Sequence, residues 1–301
     1  PGAWRFNIKG DGLRFNRWVL AACAAAALAA CGGGNNNSDP SINVQLTGLE
    51  NLGASSVYEG WLIVNGAAKS AGRFTVDDRG VMSQTNFKIA SADIAGASTY
   101  VLTIEPKNDT DPGPTKTHLV AGNFDAARTQ AALSVAHSAA LGSDFTTAAG
   151  KFFLATPTHN DPATDDQGIW WIDASSGSMQ AGLSLPTLPE GWVYEGWVVV
   201  DGKPITTGRF TRATGADSDG AGPAAGTAAA APPFPGQDFI NPAKKLPGGM
   251  AVISIEPEPD NSPAPFLLKP LLTNPIGSGT GPTNGQTMVN QASKLNPTGT
   301  V

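Results

Sequence analysis

The pentapeptide Val57-Tyr58-Glu59-Gly60-Trp61 returns unchanged as Val193-Tyr194-Glu195-Gly196-Trp197. The identity continues through Val64, Gly66 and Gly72-Arg73-Phe74, which match Val200, Gly202 and Gly208-Arg209-Phe210. The offset is 136 throughout, and ten of the eighteen positions agree. Downstream, Ile104-Glu105-Pro106 matches Ile255-Glu256-Pro257 at an offset of 151, and Pro112 and Pro114 match Pro263 and Pro265. The change of offset places an insertion of about fifteen residues in the second copy. Thr211–Ala231, rich in Ala, Gly, Pro and Asp, fits that insertion and reads as a disordered loop. A period above one hundred residues is too long for a solenoid unit and fits two copies of one domain. Residues required twice are expected to be architectural rather than parts of a single active site.

Local patterning gives the fold class. Short β-branched and aromatic runs alternate with Gly, Pro and Asn/Asp turn signals, and no helical period is sustained. Expected strands in the first copy are 42–46, 57–64, 72–76, 87–90, 99–104, 118–121 and 131–136. In the second they are 151–158, 169–172, 193–200, 208–211, 251–255 and 266–268. Asn65-Gly66 and Asp201-Gly202 suit type I′ turns, so each motif reads as one β-hairpin. Alternation puts Val57, Glu59, Trp61 and Ile63 on one face, expected to be the core side, and Tyr58, Gly60, Leu62 and Val64 on the other. The expectation is all-β: two tandem antiparallel, Ig-like β-sandwich domains, 42–140 and 148–276. The second carries a disordered insertion at about 211–245, and 277–301 is expected to be a loose tail.

The front of the chain addresses it to a membrane. Arg14 and Arg17 precede the apolar stretch Val19–Ala30, which is short for a membrane span and has the form of a signal peptide over 13–30. Leu28-Ala29-Ala30-Cys31 resembles a bacterial lipobox, in which the cysteine becomes the acylated first residue of the mature protein. An ordinary cleaved signal with Cys31 incidental is the alternative. Residues 31–41, rich in Gly and Asn, read as a flexible tether, and residues 1–12 as an upstream extension. Removing residues 1–30 takes away four basic residues and one acid, so the formal charge of −6 becomes −9. That balance argues against nucleic acid as a partner. Cys23 and Cys31 are the only cysteines, so the mature domains have neither disulfide nor thiol chemistry.

A Tyr-x-x-Trp strand, an Asn/Asp-Gly turn, a Gly-x-Phe strand and a late strand ending in Glu-Pro resemble one family. It is the extracytoplasmic C-terminal domain of bacterial anti-sigma-K-type factors. The resemblance rests on Tyr58, Trp61, Gly72, Phe74, Glu105, Pro106 and Pro114, and on Tyr194, Trp197, Gly208, Phe210, Glu256, Pro257 and Pro265. It covers about 42–123 and 185–273 and implies a β-sandwich. Regulators of this family also carry a cytoplasmic helical domain and a membrane-spanning helix. This chain matches neither, and domains behind a lipoprotein signal cannot contact a cytoplasmic sigma factor directly.

Chemistry-bearing candidates are few. Glu59 with Glu105, and Glu195 with Glu256, could form two-carboxylate sites of the kind that hydrolyse glycosides. Their repetition favours structural roles instead, in pairing with Arg73 and Arg209 or in accepting backbone N–H groups. His118, His137 and His159 lack metal-ligand spacing, and no cofactor is expected. The acidic loop with Asp161, Asp165 and Asp166 could hold calcium or be a solvated turn. Trp170, Trp171 and Trp192 could form a sugar- or polymer-binding surface, or fill the core. The function read from these features is a non-catalytic envelope lipoprotein with a binding, sensing or scaffold role toward an unknown envelope protein or glycan. The alternatives are an enzyme acting on envelope glycan and a calcium-dependent carbohydrate-binding module. Radiolabelled palmitate should enter the wild type and not Cys31→Ala; equal labelling of the two would contradict the lipid anchor.

Overall fold

Asn65 and Gly66 have φ of 50° and 82°, and Asp201 and Gly202 have 53° and 73°. These positive angles are what a two-residue primed turn requires, and they fold each repeated motif back on itself. The computed structural model describes residues 40–260 and 262–301. The expected extension, signal peptide, Cys31 and nearly all of the tether lie outside the described residues.

The first copy contains β1 (Ser41–Asn43), β2 (Gln45–Thr47), β3 (Ser56–Val64), β4 (Ala67–Phe74), β5 (Asn86–Lys88), β6 (Ala97–Pro106), β7 (His118–Asn123) and β8 (Ala132–Ser134), with a short helix α1 (Ser91–Gly96). A middle section adds β9 (Ala149–Leu154), β10 (Gly168–Trp170), β11 (Ile172–Asp173), β12 (Gln180–Ala181) and β13 (Leu183–Ser184). The second copy supplies β14 (Trp192–Val200), β15 (Lys203–Phe210), β16 (Gly236–Asp238), β17 (Met250–Pro257) and β18 (Leu271–Thr273). The last residues form β19 (Gln286–Thr287), β20 (Val289–Asn290), helix α2 (Ala292–Leu295) and β21 (Thr298–Thr300). The protein is all-β, and every pairing between these strands is antiparallel.

The repeat is visible in the sheets. The seven-stranded sheet runs β2-β21-β8-β7-β6-β3-β4, and a five-stranded sheet runs β15-β14-β17-β18-β20. In both, the duplicated hairpin forms one edge and its first strand pairs with the strand ending in Glu-Pro. Both hairpins carry a register shift at the motif glycine, beside Gly60 and beside Gly196. The described residues form one compact unit. A single apolar cluster joins Tyr58, Leu62 and Leu102 of the first copy to Tyr194, Ile253 and Ile255 of the second.

Four expectations are corrected. The core side of the hairpin is the Tyr58, Leu62 and Val64 face. Trp61 packs on the opposite face in a small cluster with Val101, Ala121 and Ala140. A loop covers that second face, so Trp61 is buried without belonging to the main core. The expected loose tail supplies strands to three sheets and buries Met288 and Ala292. Its apolar residues are too sparse to register as a pattern, and main-chain pairing holds it instead. The insertion at 211–245 is likewise ordered at its end, where β16 pairs with β10 and buries Gln237, Asp238 and Phe239. Phe266 and Leu268 are buried and Leu267 is half-buried, but all three lie outside a strand; β18 fills the expected place.

The motif glycine explains one non-repeated tryptophan. A Cβ on Gly60 would overlap the Tyr100 hydroxyl. Tyr100 pairs with Leu62, whereas Val198 at the matching place pairs with Ala251. The second copy therefore lacks that ring. Trp171 fills the space instead: a Cβ on Gly196 would stand 2.7 Å from its Nε1, which donates to Thr207 Oγ1 at 3.2 Å. Trp171 is fully buried, so Trp171→Ala should cost about 3–5 kcal/mol in urea denaturation. A loss below about 1 kcal/mol would contradict this packing role.

Candidate functional site

The face of the hairpin sheet opposite the main core is polar and still buried. Glu59 sits across from Thr103 and Val57 across from Glu105, so the two glutamates share that face with Trp61. Burying them requires partners, and each has them. Arg73 Nε donates to Glu59 Oε2 and Ser70 Oγ to Oε1, both at 2.5 Å. Trp61 Nε1 donates to Thr103 Oγ1 at 2.9 Å, and Thr103 in turn donates to Glu105 Oε1. The same Glu105 oxygen accepts the Thr115 backbone N–H at 2.9 Å.

The second copy repeats this network position by position. Arg209 Nε reaches Glu195 Oε2 at 3.0 Å and Thr206 Oγ1 reaches Oε1 at 2.5 Å. Trp197 Nε1 donates to Ser254 Oγ at 2.8 Å, Ser254 donates to Glu256 Oε1, and Phe266 N–H donates to it at 2.9 Å. On the core face, the Tyr58 hydroxyl donates to Glu50 O at 3.0 Å and the Tyr194 hydroxyl to Pro186 O at 2.7 Å. Each bond reaches back eight residues, which is the logic of a tyrosine corner: the ring is buried and its polar tip is satisfied by upstream backbone. Burial pushes both hydroxyls above the usual tyrosine range.

The carboxylates are almost wholly covered, and of the four only Glu195 borders the cleft beside Arg209. Glu59 and Glu195 are each 3% exposed, Glu105 1% and Glu256 0%. Burial raises Glu105, Glu195 and Glu256 above the usual carboxylate range against the hydrogen bonds that lower them, and Glu256 reaches about 7. Glu105 Oε2 is buried without a hydrogen-bond partner, which costs less on a neutral carboxyl than on an anion.

The other candidates from the sequence scatter. Trp170 and Trp171 are 0% exposed and Trp192 is 3% exposed, so they form no binding surface. Trp170 Nε1 donates to Asp238 at 2.9 Å, and Trp192 packs against Phe266 with ring centroids 5.9 Å apart. The acidic loop is folded on itself. Asp161 accepts from Ala163 N, Asp165 from Thr156 N, and Asp166 pairs with Lys245 at 2.8 Å. Among the described residues no group of three or more His, Cys, Asp and Glu could hold a metal ion.

Where the copies differ, a cleft opens. Gly72, at φ 114°, lies under the Phe87 ring. Gly208, at φ 97°, lies instead under the carboxylates of Asp217 and Asp219 from the insertion. Beside them a cleft of about 840 Å³ is lined by Glu195, Arg209, Arg212 and Glu258. Arg209 is further anchored through Nη2 to Asp260 at 3.0 Å. Asp217 accepts from Gly236 N at 2.9 Å, and burial, with the charge of Asp219 adding, pushes its carboxyl up to about 7. Asp217 and Asp219 escape a sequence reading because they lie in the insertion, with no counterpart in the first copy, and no spacing rule joins them to Gly208. Asp260 falls opposite Asp109 at the offset of 151, but no spacing rule joins it to Arg209. No family model matches the chain, and no curated protein or solved structure matches it.

Glu256 yields a pH prediction. Its folded value of about 7 lies above its ordinary value of 4.5. The stability its proton contributes is therefore complete below about pH 4.5 and is lost as pH rises through about 7. Glu256→Gln retains the acceptor for Ser254 and Phe266 and cannot ionise. It should gain on the wild type across that window by an amount on the order of 3 kcal/mol. Parallel pH–stability curves for the two proteins would contradict a buried neutral carboxyl.

Proposed function

We propose that this protein is a non-catalytic lipoprotein of the bacterial cell envelope, tethered through acylated Cys31, with a binding, sensing or scaffold role. The observation that carries this reading is the use of all four repeated glutamates inside the fold. Glu59 and Glu195 are engaged by Arg73 and Arg209, while Glu105 and Glu256 accept the backbone N–H groups of Thr115 and Phe266. A glycosidase needs one carboxyl to reach the leaving oxygen and the other to reach water or the sugar ring. Carboxyls at most 3% exposed do neither. The likeness to anti-sigma-K extracytoplasmic domains counts Glu105 and Glu256, but not Glu59, Glu195 or the two arginines, among its residues, and we take it as a likeness of scaffold rather than of sigma-factor binding.

Recognition then falls to parts that are not repeated. The cleft beside Arg209 and Arg212 presents both charges and is closed over Gly208 by an insertion peculiar to the second copy. An envelope protein or glycan is the partner class that suits the proposed location. Incubating the purified protein with peptidoglycan and soluble glycan oligomers should release no reducing ends. Release that falls about tenfold or more in both Glu105→Gln and Glu256→Gln would overturn the reading in favour of an enzyme.

A further inference from the structure

The strand β21 lies inside the seven-stranded sheet, between β2, near the start of the described residues, and β8, the last strand of the first copy. It pairs with β2 through Gln45–Thr300, Leu46–Gly299 and Thr47–Thr298. On its other side it pairs with β8 through Thr298–Ser134, Gly299–Leu133 and Thr300–Ala132. The ladder runs one step further, where Ala131 and Val301 exchange both N–H···O bonds at 2.8 and 3.0 Å. Among the described residues β2 has no other neighbour in this sheet. It is thus joined to the sheet, among those residues, only through a strand some 250 positions later in the chain.

The slot that β21 fills has a chemical preference. A Cβ at position 299 would overlap the Gln45 carbonyl oxygen and stand 2.7 Å from Leu46 Cδ2 and 3.1 Å from Leu46 Cα. Glycine is therefore required at the centre. The flanking Thr298 and Thr300 are exposed and tolerate side chains. Thr298 meets Thr47 across the pair, with the hydroxyls 3.3 Å apart. The strand buries little apolar surface of its own, so main-chain hydrogen bonds hold it. A segment held in this way opens locally at lower free energy than the core strands do.

We propose that the gap between β2 and β8 is a binding slot for an extended peptide with glycine between two small β-branched residues. The chain's own Thr298–Val301 fills the slot in the resting fold, and filling it is what keeps β2 in the sheet. Main-chain pairing supplies the affinity, and the Gln45–Leu46 wall supplies the selection for glycine.

Hydrogen exchange of the full chain tests this. Gly299→Val displaces the internal strand. The Ala131 amide and the amides of β2 should then exchange about tenfold or more faster, while those of Val101 and Leu102 keep their protection. Adding the peptide Pro-Thr-Gly-Thr-Val should restore protection at Ala131, and Pro-Thr-Val-Thr-Val should not. Unchanged protection in Gly299→Val, or equal rescue by the two peptides, overturns the proposal. If Gly299→Val loses protection throughout the chain, a protein ending at Asn296 decides with the same readouts. Global loss in both shows an inseparable core strand and overturns the proposal as well.

Discussion

A buried carboxylate that ties the end of a central strand to the following loop is the constraint on which each half of this protein depends. Glu105 is the penultimate residue of β6 and Glu256 that of β17. Both receive a hydroxyl from two residues earlier and a backbone N–H from ten residues later. The hydroxyl is itself held by the indole of the motif tryptophan. Removing any member leaves a buried donor or acceptor unmet, which costs about 1–3 kcal/mol per group. The motif Tyr, Glu, Gly and Trp residues are kept together because they serve one hairpin in four ways. The tyrosine anchors the upstream chain, the glutamate fixes the arginine of the return strand, the glycine admits a ring on the core face, and the tryptophan orients the hydroxyl that meets the second glutamate.

The segments outside the repeat make one body of the two copies. Trp171, from the middle section, replaces the ring that Tyr100 provides in the first copy. The closing residues thread from β9 to β18 and then into the slot between β2 and β8. Lys116 forms an ion pair with Glu190 across the copies, although both side chains are well exposed and the pair adds little to stability. Packing continuity, rather than surface charge, joins the halves.

The repeated hairpins were legible because their signals are local. Asn65-Gly66 and Asp201-Gly202 specify turns, and alternation over nine residues specifies strands. Pairing of Glu59 with Arg73 followed from their places on facing strands. What was not legible depends on distant neighbours. Period two says that Trp61 and Tyr58 face opposite ways, but both faces are covered, so alternation alone could not name the core side. Thr298-Gly299-Thr300 has no apolar pattern, and its place in the sheet is set by the open edges of β2 and β8. Asp217 and Asp219 meet at Gly208 only because the insertion folds back, and no spacing in the chain encodes that return.

The central claim is that the duplicated carboxylates are architectural. It is tested most directly by urea denaturation of Glu105→Ala and Glu256→Ala. Architecture predicts that each substitution lowers stability by about 2–4 kcal/mol, with similar losses in the two copies. A gain in stability on removing either glutamate, as commonly follows when a strained active-site group is lost, would contradict it.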